Sequence, residues 1–175
     1  MKVLLHTCCA PCASHCITVL HALNHEVTLF FSNANIAPEA EYQQRLGSVR
    51  TLANSMKVPL LVDPTHHSAW INEVARGFEH EPERGARCTR CFMYSLQRTR
   101  TAMDASGFDA FTTSLSVSPH KSSETLFAIG HQLGGDRFLP LDFKKQNGFL
   151  HSMEWTRSLN LYRQRYCGCE WSLHP

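Results

Sequence analysis

Short apolar runs alternate with segments of helical period along the whole chain. "KVLLH" at residues 2–6 reads as a buried strand, and "CASHCITVLHALN" after it carries Cys16, Val19, Leu20 and Leu23 at i, i+3, i+4 and i+7, the apolar stripe of a helix. "EVTLFFS" is a second strand, and "PEAEYQQRLGSVRTLANSM" a second helix with Pro38 near its first turn. A third strand at "PLLV" leads to a shorter helix through "SAWINEVARG". Beyond the charged segment "FEHEPERGAR", which reads as a surface loop, "CFMYSLQRTRTAMDASG" is a helix stopped near Gly107. "DAFTTS" then predicts a fourth strand, "SETLFAIGHQLGG" a helix, "RFLPL" a fifth strand and "SMEWTRSLNLY" a last helix.

This alternation with short links predicts an α/β fold: one Rossmann-like three-layer domain over residues 1–175, with a parallel sheet of about five strands and helices on both faces. Ligands bind such sheets beyond the carboxyl ends of the strands. "TCCAPC" follows the first strand, "SNANI" the second, "SVSPHK" the fourth and "DFKKQNG" the fifth, so a cysteine-rich site is expected at that rim.

Composition narrows the chemistry. A chain of 175 residues, 43% hydrophobic, with a net charge of +2 suits one soluble core, and the charge permits a nucleic-acid partner without arguing for one. The opening apolar run is too short for a signal peptide and no window suits a membrane span, so the expected location is the cytoplasm, with no membrane partner. Ordinary thiols stay reduced there, and 8 cysteines in so short a chain point to metal binding or redox chemistry.

Those cysteines fall into three groups. Cys8, Cys9, Cys12 and Cys16 lie early, Cys88 and Cys91 in the middle, Cys167 and Cys169 at the end. Cys88 and Cys91 form a C-x-x-C at a helix start, where i, i+3 spacing sets both sulfurs on one side. Adjacent Cys8 and Cys9 do not easily bridge each other, but both can reach a metal cluster. Together with Cys88 and Cys91 they make four thiolates for a cubane cluster; zinc fits the same count, although adjacent ligands suit a tetrahedral chelate less well. Cys16 continues the apolar stripe and reads as core, while Cys12, one turn nearer the site, either ligates a second metal or lines the pocket. In "YCGCEW" a disulfide between Cys167 and Cys169 closes a very small ring, strained and easily reduced, as suits a working redox pair; metal binding is the other reading.

Outside the thiols, Ser118, His120 and Lys121 occupy a rim loop before a helix N-terminus, suited to a phosphate or hydroxyl substrate. Lys144, Lys145, Arg157, Arg163 and Arg165 make the final third basic, with Tyr162, Tyr166 and Trp171 interleaved, a composition that suits single-stranded RNA as well as a solvated face. His66 and His67, at a helix entry, need no role beyond capping or exposure. Three functions follow from these features: a redox enzyme with a cluster, a zinc-stabilised RNA-binding module, and a thiol–disulfide oxidoreductase.

The set "LLHTCCAPC", "NIAPEAEYQQR", "GARCTRCF", "GFDAFTTSLSVSPHK", "DFKKQNG" and "LYRQRYCGC", in this order over nearly the whole chain, resembles the QueH family of epoxyqueuosine reductases. The resemblance implies a tRNA-modifying enzyme that removes the epoxide oxygen of epoxyqueuosine at the wobble position as water. It implies a [4Fe-4S] cluster on Cys8, Cys9, Cys88 and Cys91, and a redox-active pair at Cys167 and Cys169 reopened by an external electron donor. The C-terminal C-x-C segment, 167–169, is then expected to fold over the active site. Some members carry an aspartate at the position of Cys12, where a second metal, iron-like, has been associated with the neighbourhood. Ser118, His120, Lys121, Lys144 and Arg163 are the residues expected to meet the substrate. The chain departs from the family pattern with "NANI" for the usual "NPNI" and with "DPTHHSAW" where an acidic, aromatic segment is common.

Overall fold

Alternation along β1 (Lys2–His6) divides the interior in two. Val3 and Leu5 enter one apolar cluster and Leu4 the other, all fully buried. β2 (Glu26–Phe31) does the same, sending Val27, Leu29 and Phe31 to the first cluster and Phe30 to the second. Burial on both faces is what an interior parallel strand requires. These relationships come from a computed structural model, which describes residues 1–173.

The sheet runs β3 (Leu60–Val62), β2, β1, β4 (Ala110–Thr113), every pair parallel. α1 (Ala10–Ala22) and α2 (Glu39–Met56) cover one face through Ala13, Cys16, Ile17, Leu20, Leu46, Val49 and Leu52. On the other face α4 (Ala86–Ser106) and α5 (Ser123–Gly134) contribute Leu96, Met103 and Ile129. α3 (His67–Trp70) runs into a π-helical turn, Ile71–Ala75, and α6 (Gly148–Ser158) lies against α1. Among the described residues no helix is long and apolar enough to cross a membrane.

The sheet has four strands where about five were expected. "RFLPL" does lie beside β4, but Phe138 makes a single parallel bridge to Phe111, and Leu139 N–H donates to the Phe111 carbonyl at 2.9 Å. Pro140 then has no N–H to offer, and Leu141 N–H turns back to the Leu139 carbonyl at 2.9 Å, so the ladder stops after one rung. The last helix also begins earlier than its apolar pattern suggests, at Gly148.

Beyond β3, Asp63 is buried and accepts from Ser32 Oγ at 2.7 Å, from Thr65 Oγ1 at 2.8 Å and from both Nε and Nη2 of Arg98. This ties the ends of β2 and β3 to α4. The strand order reverses between β1 and β4, the position where open α/β sheets hold their ligands.

Candidate active site

The turn after β1 lies at that reversal. Ser114, just past β4, accepts from Cys8 N–H at 3.1 Å and donates to Cys8 Sγ at 3.3 Å, so the two strand ends fix the first thiol. Beneath it His6 is buried, and because the Ser32 carbonyl only accepts, Nε2 carries the proton to it at 3.2 Å while Nδ1 accepts from Thr113 Oγ1 at 2.9 Å. Burial holds the His6 pKa below the usual range, so this ring is a neutral brace.

Cys9 caps α1 and Pro11 sits in its first turn, which brings Cys12 round towards the strand end. The sulfurs of Cys8, Cys9 and Cys12 all lie within 4.8 Å of one another, with Cys8 and Cys9 at 3.7 Å. Hydrogen bonds from the Cys12 and Cys8 thiols hold Cys9 well below the ordinary thiol range, while the bonds of Cys12 with Cys8 and Cys9 push Cys12 well above it. The three sulfurs together make a donor set suited to a thiophilic metal.

A second group stands on α4. Arg84, in the left-handed region at φ 70°, points its backbone N–H at Cys88 Sγ, 3.2 Å away. Buried Arg87 donates to the carbonyls of Phe78, Glu79 and Glu81 at 3.0, 3.2 and 2.7 Å, which organises the loop before the helix, and its guanidinium lies 5.1 Å from the Trp171 ring centre. At this helix start burial dominates and raises both Cys88 and Cys91 as free thiols. Cys88, Cys91, Cys167 and Cys169 border one cavity of about 200 Å³ with Trp70 on its wall.

The C-terminal segment is held in place by α2. Arg45, 2% exposed, donates from Nη1 to the Cys167 carbonyl at 2.8 Å, from Nη2 to the Tyr166 carbonyl at 3.0 Å and from Nε to Glu41 at 2.7 Å. Glu41 also accepts from Tyr162 OH at 2.8 Å, and Ala37 N–H donates to the Gly168 carbonyl at 2.9 Å. Gly168 sits at φ 149°, and a Cβ there would lie 2.8 Å from Asn35 Nδ2. His67 spans from the Ala34 carbonyl at 2.7 Å to Glu170 at 2.6 Å. Cys167 is exposed, Cys169 is buried, and all eight cysteines are free.

Three cavities meet around these sulfurs, and Lys121 and Cys167 line every one of them. Burial alone would lower the Lys121 pKa, but the neighbouring sulfurs of Cys167, Cys8, Cys12 and Cys9 raise it above the usual lysine range.

A family model described as epoxyqueuosine reductase QueH matches residues 3–175. The chain belongs to the QueH family. The epoxyqueuosine reductase QueH of Streptococcus pyogenes serotype M1 is 36% identical over 177 residues, covering 96% of this chain and 69% of that protein. That of Haemophilus influenzae is 33% identical with 98% and 71% covered, and that of Thermotoga maritima 32% identical with 98% and 90% covered. QueH membership makes the chain an oxidoreductase and sets aside a purely structural RNA-binding module. Among solved structures, a predicted subunit of a tRNA methyltransferase from Methanocaldococcus jannaschii superposes with a TM-score of 0.56 at 13% identity, covering 86% of this chain and 76% of that one, which is a likeness of fold.

Against the QueH pattern, the residues expected from sequence sort as follows. Cys8 and Cys9 join Cys12 in one tight group, while Cys88 and Cys91 stand outside it; Cys8 and Cys91 nevertheless line the same small cavity with Lys121. Ser118, His120, Lys121 and Arg163 all border the cavity that holds Cys8, Cys9 and Cys12. Lys144 does not, for its Nζ donates to the Lys121 carbonyl at 2.9 Å and steadies that loop from behind. Cys16 is core, its thiol donating to the Cys12 carbonyl at 3.2 Å. Arg45, His67 and Ser114 were not expected. Glu41 and Arg45 show only the i, i+4 spacing of an ordinary surface pair, and nothing local says that a distant carbonyl will meet the guanidinium.

Proposed function

We propose that this chain reduces epoxyqueuosine at the wobble position of tRNA to queuosine, with Cys8, Cys9, Cys88 and Cys91 holding a [4Fe-4S] cluster and Cys167 with Cys169 as the electron-donating dithiol. The observation that carries the reading is that every cysteine outside the core borders cavities joined at Lys121 and Cys167. The donor set fits such a cluster: it is all thiol, Cys8 and Cys91 border one small cavity, and the Arg84 N–H and Lys121 ammonium offset thiolate charge. When bound, such a cluster would supply one-electron chemistry and Lewis acidity to this site. Cys12, within 4.8 Å of Cys8 and Cys9, is the donor left for a second metal, such as a mononuclear iron.

The electron balance closes on the chain's own residues. Two thiols becoming a disulfide release two electrons and two protons; the epoxide takes up both pairs, loses both C–O bonds, and gives an alkene and water. Lys121, which lines all three cavities, is the side chain that would pass a proton to the departing oxygen, and the Arg45 bonds keep the Cys167 main chain fixed while its exposed thiol reacts. An external electron donor then reduces the Cys167–Cys169 disulfide. A tRNA substrate places this work in the cytoplasm, and the C-terminal segment acts as the cover of a single-domain site.

Iron and acid-labile sulfide, measured with the visible spectrum on protein purified without oxygen, should reach about four of each per chain. The same protein should convert epoxyqueuosine tRNA with a chemical reductant. Stoichiometric zinc without sulfide after attempted reconstitution would remove the cluster, and absence of turnover by cluster-loaded protein would remove the substrate.

A further inference from the structure

Burial alternates along residues 162–166. Tyr162, Gln164 and Tyr166 are half-buried, and the two tyrosine hydroxyls bind Glu41 and the Ala37 carbonyl on the α2 side. Arg163 and Arg165, between them, are exposed and have no ion pair or hydrogen bond among the described residues. The tyrosines that the sequence offered as stacking groups thus anchor the segment, and the arginines are the side chains left facing out.

Both arginines line the cavity of about 300 Å³ that Cys8, Cys9 and Cys12 also line. Arg84, His120 and Lys121 line it too, with Glu83 the one acidic residue of the lining. From α6, Phe149, 39% exposed, and Met153 line the same cavity. We propose that this cluster of basic residues lining a partly apolar cavity is a docking surface for a single-stranded RNA loop. Arg163 and Arg165 take phosphates flanking the inserted nucleotide, and Phe149 meets the base. This rests on the tRNA reading above and assigns its contact surface.

Charge and shape select RNA over an acidic protein. Phosphates would satisfy the unpaired arginines, but only a nucleotide combines flanking anions with a flat apolar group small enough to enter the cavity. A protein surface carrying carboxylates would meet the rim and leave the cavity empty.

The test measures binding of an anticodon stem-loop RNA with unmodified guanosine at the wobble position, by fluorescence anisotropy over a salt series. For Arg163→Gln/Arg165→Gln the dissociation constant should rise about tenfold, and the slope of log affinity against log salt should fall by about 1.4, two single-strand phosphate contacts. Phe149→Ser should weaken binding at an unchanged slope. Both changes lie at the surface, and circular dichroism matching wild type verifies the fold. Wild-type binding that the double substitution leaves unaltered in affinity and slope would overturn the docking surface while the tRNA reading stands. Wild-type protein that neither binds the RNA nor converts epoxyqueuosine tRNA would overturn both. Polyglutamate displacing the RNA at equal charge concentration would overturn the choice of RNA and indicate an acidic protein.

Discussion

The Arg45 guanidinium donates to the main-chain carbonyl of Cys167 at 2.8 Å across 122 positions of sequence. A buried cation on α2 thus holds a segment that has no regular structure of its own between α6 and the short turn Glu170–Ser172. Arg45→Met should cost about 3 kcal/mol, since it leaves Glu41 and two carbonyls without their partner. Turnover should fall more than stability accounts for, and Arg45→Lys should recover only part of it, because lysine lacks the forked geometry. Urea unfolding and steady-state kinetics on the same preparations check this; full activity in a folded Arg45→Met variant would contradict it.

Cys167→Ser and Cys169→Ser should each retain iron and sulfide and lose turnover by about 100-fold or more. Cys8→Ser and Cys91→Ser should lose the metal itself. Metal analysis beside an activity assay separates the two groups, and an active Cys167→Ser enzyme would remove the dithiol from the mechanism.

Gly168→Ala adds a methyl that would lie 2.8 Å from Asn35 Nδ2 and 3.1 Å from Ile36 Cγ1, at a backbone φ of 149° that side chains rarely adopt. The strain is worth about 1–3 kcal/mol and bears on the junction between the two terminal cysteines. Limited proteolysis should cut the segment faster than in wild type, with the midpoint of global unfolding nearly unchanged.

Asp63 titrates below the ordinary carboxylate range: burial raises its pKa, but the hydrogen bonds from Arg98, Ser32 and Thr65 lower it further. A depressed folded pKa stabilises the protein above the unfolded value of about 3.9 and loses that contribution as pH falls through the folded one. Asp63→Asn should therefore be about 2 kcal/mol less stable near neutrality, the figure reduced because Arg98 is 37% exposed. The difference from wild type should shrink below about pH 4. Urea midpoints across the acid range give the comparison.

Much of the fold was legible because β1 and β2 are continuous apolar runs and α1 carries its stripe in plain sequence. The fifth strand was not, because a run such as "RFLPL" has strand composition whether it forms one rung or five, and Pro140 decides the matter only once its neighbour is known. The thiol groups were legible by spacing, yet spacing could not show that Cys12 turns back on Cys8 and Cys9, a consequence of Cys9 capping α1. Arg45 and His67 stayed hidden because their partners lie more than 100 positions away, Cys167 and Glu170.

β1 is hydrogen-bonded on both sides and buried on both faces, and it ends directly in the first two thiols. In terms of hydrogen exchange, its amides should become accessible to solvent deuterium only when the whole molecule opens, whereas those of residues 161–169 should exchange through local release of a few side-chain clamps. Cys8 and Cys9 therefore follow the strand expected to exchange last, and Cys167 and Cys169 stand on a segment expected to exchange early.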